Sequence, residues 1–303
     1  MRLADLNKTE LAKRLNHQGV CFFAGGFSVC LNSKVPAIVD GLLSQYGNNL
    51  LNEADFSDFH INIKATSGVR RFIRPRVQFF LNGNAPFYPM PYTQAFPLLE
   101  WGMNWCVTNH CHEHLVIHAA VVEKNGKAII LPGTPGSGKS TLCAALANTS
   151  GWRLLSDELA IYNYKSQMLV PNPRPVSLKN QSIDVIKKFA PSSIFSPTVH
   201  DTIKGSVAHM MPSIESIEGT NNDAVPAFVV FPKYIAESNS ELELVSKGDA
   251  FIQLAEHSFN YQILHSDGFE AIASLLDQTN CYKYTYDGDL AVAINQMESL
   301  VCL

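Results

Sequence analysis

Hydrophobic and polar positions along the chain switch repeatedly between the two-residue period of a strand and the wider spacing of a helix. MRLADLNKTELAKRLNHQG alternates charge with leucine and lacks an apolar run, which predicts a short amphipathic helix and no signal peptide. VCFFAGG, FHINIKA and VQFFLNG read as short strands, the last closing on a tight turn at Asn82-Gly83. Pro86, Pro89, Pro91 and Pro97 exclude a regular helix between Asn84 and Pro97 and make that stretch an extended connector. From Phe96, PLLEWGMNWCVTNHCHEH predicts a helix. LVIHAAVVEKNGKAIILPG then predicts two strands joined as a hairpin by Lys124-Asn125-Gly126-Lys127.

Beyond the hairpin, STLCAALAN is a helix, and WRLLSDELAIYNY reads as a strand, an acidic pair and a second strand. The Pro-rich stretch Val170–Ser177 precedes a helical SLKNQSIDVIKKFA. Residues 190–225 show weak periodicity and many Ser, Thr and Pro, the texture of a functional loop or lid. AFVVFPKYI and CYKYTY are strands, and 247–257, 267–278 and DLAVAINQMESL are helices. The alternation predicts an α/β protein. Residues 1–105, richer in aromatics, Asn and Pro, form an α+β accessory domain for partner recognition; residues 106–303 form a second domain with C-terminal helices.

Composition narrows the classes. At 303 residues, 46% hydrophobic and 17% charged, the chain is a folded globular protein, too apolar for disorder. A net charge of −4 lacks the basic field that nucleic-acid binding needs. No apolar stretch approaches the roughly 20 residues of a membrane span. The seven cysteines are odd in number and scattered, which predicts free thiols in a reducing, cytoplasmic compartment.

The strongest chemical signal is Gly133-Thr134-Pro135-Gly136-Ser137-Gly138-Lys139-Ser140, followed by Thr141, which fits G-x-x-x-x-G-K-[ST] at every fixed position. It sits between a strand and a helix, the context the motif requires. Glycines let backbone N–H groups turn inward around an anion, and the following helix N-terminus adds a positive dipole end. Lys139 can reach terminal phosphates and the Ser140 hydroxyl can ligate Mg²⁺. A nucleoside triphosphate such as ATP is the expected ligand. Asp157 and Glu158, directly after Leu154-Leu155, supply two acids that can divide the work, one on Mg²⁺ and one on an attacking hydroxyl.

These residues carry a family likeness. IHAAVVEKNGKAIILPGTPGSGKSTLCAALANTSGWRLLSDELAIY resembles the catalytic core of bacterial HPr serine kinase/phosphorylase: a His upstream of the phosphate loop, a strand pair leading into it, and an acidic pair downstream. The likeness is closer still to the group called "HprK-related kinase A". It extends to EWGMNWC, PRPVSLKN, HDTIKGSVAH and SFNYQIL, so that it covers most of residues 55–303. The resemblance implies an HPr-kinase/PEP-carboxykinase-type P-loop domain. It implies that Asp157 is the base toward the acceptor serine, that Glu158 assists with the metal, and that His118 lies near the phosphates. It also implies a small protein or peptide acceptor, a link to PqqD-like peptide-binding proteins, and self-association as a homo-oligomer. Where the kinase carries a Glu-x-Arg-Gly core, this chain has Asn172-Pro173-Arg174-Pro175, which keeps the Arg and drops the Glu. Neither the phosphorylase activity nor HPr as acceptor therefore carries over.

Arg174, Lys179 and Lys204 are candidates for cationic help to a transferring phosphoryl group. Lys204 lies in VHDTIKGSVAH, a polar stretch expected to fold over the phosphates. CVTNHCHEHLVIH is dense in Cys and His, and His110 and His114 are expected on one helix face. The run lacks C-x-x-C or H-E-x-x-H spacing, and it reads as helix-end histidines in preference to a Zn²⁺ site. Arg70, Arg71, Arg74 and Arg76 suit either an acidic partner or a charge-protected strand edge. The expectation is an ATP- and Mg²⁺-dependent phosphotransferase acting on a hydroxyl. A nucleotide-gated binding module and a small-metabolite kinase are the alternatives.

Overall fold

The computed structural model describes residues 1–68 and 72–302. Arg70 and Arg71 of the basic run lie outside the described residues. In chain order the first elements are α1 (Lys8–His17), β1 (Val20–Ala24), β2 (Phe27–Ser33), α2 (Pro36–Tyr46), β3 (Phe59–Ala65), β4 (Arg76–Leu81), β5 (Met90–Pro91) and α3 (Ala95–His110). Then follow β6 (Leu115–Lys124), β7 (Lys127–Pro132), α4 (Lys139–Ala147), β8 (Arg153–Ser156), β9 (Leu159–Asn163), β10 (Met168–Val170), β11 (Val176–Lys179) and α5 (Gln181–Phe189). The chain ends with β12 (Val199–Thr202), β13 (Gly205–Met210), α6 (Ile214–Glu218), β14 (Val225–Tyr234), β15 (Glu241–Leu244), α7 (Lys247–His257), α8 (Ser266–Gln278), β16 (Asn280–Tyr286) and α9 (Leu290–Val301). Among the described residues no helix is long and apolar enough to cross a membrane.

These elements form a mixed α/β fold divided into two compact units. The first comprises Met1–Val107 and Ile194–Met211, the second Thr108–Ser193 and Pro212–Leu303. The first unit thus takes Ile194–Met211, which the sequence assigns to the second region.

In the first unit a sheet runs in the order β1-β2-β3-β4-β5, with β2 and β3 parallel and the other pairs antiparallel. α1 begins where the Asn7 side chain accepts from the Glu10 amide at 2.9 Å, capping an otherwise unpaired donor. Its leucines at 11 and 15 are buried, as are Ile38, Leu42 and Tyr46 of α2. Tyr46 donates to the buried Glu100 of α3 at 2.8 Å. α3 starts two residues before Pro97, because a proline in the first turn forfeits no intrahelical hydrogen bond. Cys21 and Cys30 are corrections to the free-thiol expectation. The β1–β2 register sets them directly opposite, and they form a disulfide, whereas Cys106, Cys111, Cys143, Cys281 and Cys302 are free.

The stretch 190–225 is also corrected: it is not an irregular lid. It holds the β12–β13 hairpin and α6, the latter capped by Ser213, whose hydroxyl accepts from the Ser216 amide. Polar, serine-rich composition hid the strands, since cross-strand pairing outweighs weak local preference.

The second unit is built on a sheet in the order β10-β9-β6-β7-β14-β16-β15, with β8 also on β6. β14 runs parallel to both β7 and β16, while β6 is antiparallel to β7, β8 and β9. The β6–β7 hairpin turns at Asn125-Gly126, both at positive φ (56° and 78°), as a two-residue turn of this composition requires. Strand alternation sends Leu115, Ile117, Ala119 and Val121 into a core with Ala250 and Leu254 of α7 and Ala271, Ile272 and Leu275 of α8. The opposite parity of β6 carries His118, its one polar residue before Lys124. α4 packs on β6, α5 and α9.

Candidate functional site

Two edges of β6 meet at one level. On one side Ala119 pairs with Pro132, so β7 ends there and the loop 133–138 begins. On the other, Val121 pairs with Ser156 and His118 with Leu159. The bend carrying Asp157 and Glu158 is thereby bracketed, and the Ser156 hydroxyl accepts from the Leu159 amide at 3.1 Å to hold it. The β6–β7 hairpin and the pairing of β8 and β9 on the other side of β6 together bring the acidic pair to the level of the start of the glycine loop.

The loop has the conformation its glycines allow. Gly136 and Gly138 lie at φ 89° and 88°, and α4 starts at Lys139. Thr134, Pro135 and Gly136 are exposed at the tip, while Ser137 is tied from both sides. Its amide donates to the Thr134 carbonyl at 3.2 Å, and its carbonyl accepts from the Tyr234 amide at 3.0 Å. The Ser137 hydroxyl is buried with no hydrogen-bond partner among the described residues. A Cβ on Gly133 would stand 2.6 Å from it, so the loop closes only around glycine. Ser140 and Thr141 occupy the first turn of α4.

Lys139 is 7% exposed and points at the acidic pair's side. Its Nζ lies 3.0 Å from His118 Nε2 and 3.5 Å from the Gly133 carbonyl. Burial pushes the Lys139 ammonium below the usual lysine range, and Glu158 and Asp157 oppose that shift. Burial, and then the Lys139 charge, lowers His118 to about 4. His118 is therefore neutral at neutral pH, accepts from Lys139 through Nε2, and carries its proton on Nδ1. Its 3.9 Å approach to Glu158 is for the same reason not an ion pair.

Lys179, at the end of β11, donates to Glu158 Oε1 at 3.0 Å. Burial works against its ammonium, but Glu158 and Asp157 outweigh burial and raise it. The Lys179 backbone is held in turn by Ser182, whose hydroxyl accepts from the Lys179 amide and donates to its carbonyl. Asp157 is fully enclosed: Oδ2 accepts from the Ser177 amide at 2.9 Å, and Oδ1 is buried without a partner among the described residues. Burial, followed by the neighbouring Glu158 charge, raises its pKa above the ordinary carboxylate value.

The second unit thus gathers the glycine loop, Lys139, His118, Asp157, Glu158 and Lys179. Arg174 is buried in the extended segment before β11, beside which Asn172 donates to the Leu155 carbonyl at 2.7 Å. Lys204 belongs to the first unit, at the β12–β13 turn, with its ammonium over the Trp101 ring at 5.4 Å. His110 and His114 are a correction, since α3 stops at His110 and they share no helix face. Asn260 instead holds the segment beyond, donating to the Cys111 and His114 carbonyls.

Three contributors lie outside the sequence reading. The Ser177 amide orients Asp157, Tyr286 donates to the Gly138 carbonyl at 2.9 Å, and Tyr234 anchors Ser137. The one available signal was the pair of aromatic strand ends FPKY and KYTY ahead of Asp287-Gly288. Their approach to the loop depends on the β7–β14–β16 pairing, which no short-range pattern encodes. Neither protein-family models nor curated proteins give a match to this chain.

Proposed function

We propose that the second unit is a P-loop phosphotransferase domain of the HPr-kinase/PEP-carboxykinase type, moving the γ-phosphoryl group of ATP to a hydroxyl. The observation that carries this reading is Asp157 Oδ1, a buried carboxylate oxygen without a partner among the described residues, on the bend that starts level with the glycine loop. A strand antiparallel to the loop's own strand, β6 beside β7, supports this type over all-parallel P-loop sheets.

The backbone N–H groups of 133–139 other than Pro135, which has none, and Lys139 hold the polyphosphate. Asp157 takes the proton of the acceptor hydroxyl as its oxygen bonds to phosphorus and the bond to the leaving diphosphate breaks. A raised pKa suits a base that works near neutrality. Lys179 fixes the Glu158 carboxylate. Neutral His118 keeps Lys139 directed without adding a competing positive charge.

The oxygen donors Ser140, Glu158 and Asp157 fit Mg²⁺, a hard cation. Among the described residues no group of three or more His, Cys, Asp or Glu side chains is placed to hold a metal by itself. Mg²⁺ held by one or two carboxylates together with substrate phosphates needs no such group, and when bound it neutralises charge on those phosphates. The acceptor class we propose is a serine of a small protein or peptide, with a PqqD-like protein as the associated partner.

Labelled ATP and a lysate test the reading. Wild type should label a protein acceptor; Asp157→Asn should still bind ATP through the loop and transfer at least a hundredfold more slowly, the scale of a lost general base. Equal labelling by both proteins would overturn it. ATP binding with no labelling would favour the nucleotide-gated module.

A further inference from the structure

The acidic pair, His118 and Lys179 all lie on the β6 side of the glycine loop. A polyphosphate whose terminal group faces them must carry its nucleoside out over the opposite flank, toward β14 and β16. That flank presents Tyr234. Its main chain is bonded to the loop through the Ser137 carbonyl, and its Cβ would stand 3.1 Å from a Cβ placed on Gly138. Tyr286 meets the Tyr234 ring edge-on at 5.9 Å and 67°, and a Cβ on Gly288 would lie 3.0 Å from Tyr234 Cε2. The ring is therefore packed by two neighbours while the residue as a whole remains 46% exposed, and Ile235 beside it is 40% exposed. Tyr286 is locked too, with its hydroxyl on the Gly138 carbonyl and its ring stacked on Tyr284 at 5.4 Å and 4°.

An aromatic side chain half in solvent, held rigid by packing, attached to a phosphate loop and lying on the side away from the transfer chemistry is built to take a flat π-surface. We propose that Tyr234 is the stacking platform for the base of the bound nucleoside triphosphate. This rests on the phosphate-loop reading above. Stacking uses the π-face common to all bases, so the platform takes purines with little discrimination between adenine and guanine.

Calorimetry with magnesium, using ATP, GTP and inorganic tripolyphosphate as probes, tests this on the full chain. Wild type should bind ATP and GTP with similar affinity, and both about tenfold more tightly than tripolyphosphate, the scale of one base–aromatic stack. Tyr234→Ala and the bulkier Tyr234→Leu should lose that advantage and leave tripolyphosphate affinity within about twofold, while Tyr234→Phe keeps it. Tyr234→Leu fills the contact with Gly288, so a folding defect in the Ala variant alone leaves the test intact. The inference fails if wild type binds ATP no better than tripolyphosphate, or if the variants weaken both equally; in either case the phosphate loop stands. If wild type binds none of the three probes, the phosphate-loop reading falls and this inference with it.

Discussion

Lys139 Nζ and His118 Nε2 lie 3.0 Å apart, a buried ammonium donating to a neutral imidazole. An ammonium deprived of an acceptor in such a place costs about 1–3 kcal/mol, whereas removing both partners together is close to neutral. His118→Leu should therefore lose about that much stability, and His118→Gln, which retains an acceptor oxygen, much less. Adding Lys139→Met to His118→Leu should restore most of the loss. Urea denaturation of these proteins and of Lys139→Met alone at pH 7.5 gives the answer, and additive losses would mean that the contact is not coupled.

Gly138 stands at φ 88°, and a Cβ there would meet the Tyr286 hydroxyl oxygen at 2.1 Å. Gly138→Ala carries two separate costs: left-handed strain of about 1–2 kcal/mol and a clash that breaks the Tyr286 hydrogen bond. Tyr286→Phe removes only that bond, worth about 1 kcal/mol. Nucleotide affinity should fall at least tenfold in Gly138→Ala and far less in Tyr286→Phe. The double variant should lose less than the sum, because the worst clash, with the hydroxyl oxygen, is gone, although Tyr286 Cζ at 2.9 Å still crowds the new Cβ. Titration calorimetry with ATP reports all three.

The contrast between these two glycine-loop neighbours shows what was readable in the chain. The loop, its strand, α4 and the acidic bend are contiguous in sequence, and each is specified by short-range chemistry: Asn125-Gly126 for the hairpin, glycines for the nest, Asp-Glu after two leucines. Lys179 was legible as a cation but not as the partner of Glu158, because β11 reaches it through tertiary placement. Tyr234 and Tyr286 were legible only as strand residues. Ile194–Met211 joins a unit whose other members lie far earlier in the chain, and Cys21 and Cys30 meet only through the β1–β2 register. Except for the cysteine pair, which the local hairpin at Gly25-Gly26 brings together, a nonlocal pairing decided the outcome, and local propensity is silent about such pairings.

In the first unit, Gly102 of α3 faces Phe79 of β4, where a Cβ would fall 2.1 Å from the ring. Helix propensity alone would make Gly102→Ala stabilising by about 1 kcal/mol. Overpacking against a fully buried ring costs about 1–3 kcal/mol, and the ring has nowhere to go, since Phe87 packs on it at 5.5 Å. The clash outweighs the propensity, so Gly102→Ala should lower Tm. Gly102→Ala with Phe79→Leu should recover part of the loss. A Tm at or above wild type for the single variant would contradict this packing.

Glu298 of α9 accepts from Lys124 and from Trp152 Nε1, with the Lys124 ammonium also 5.6 Å from the Trp152 ring centre. The Lys124 hydrogen bond, against a small opposing effect of burial, lowers the Glu298 pKa below its ordinary 4.5. Where the folded value is the lower one, the unfolded chain binds more protons in the acid window. The stability this group contributes is thus fully present above about pH 4.5 and disappears as pH falls through the folded value. A partly exposed pair of this kind is worth about 1 kcal/mol or less. Glu298→Gln should accordingly be slightly less stable than wild type at pH 7, with the difference closing toward pH 3. Added salt at pH 7 should narrow it as well, because a partly exposed charge pair is screened. Denaturant midpoints measured across that range check both; a gap that widened in acid would mean that the glutamate is held in its protonated form.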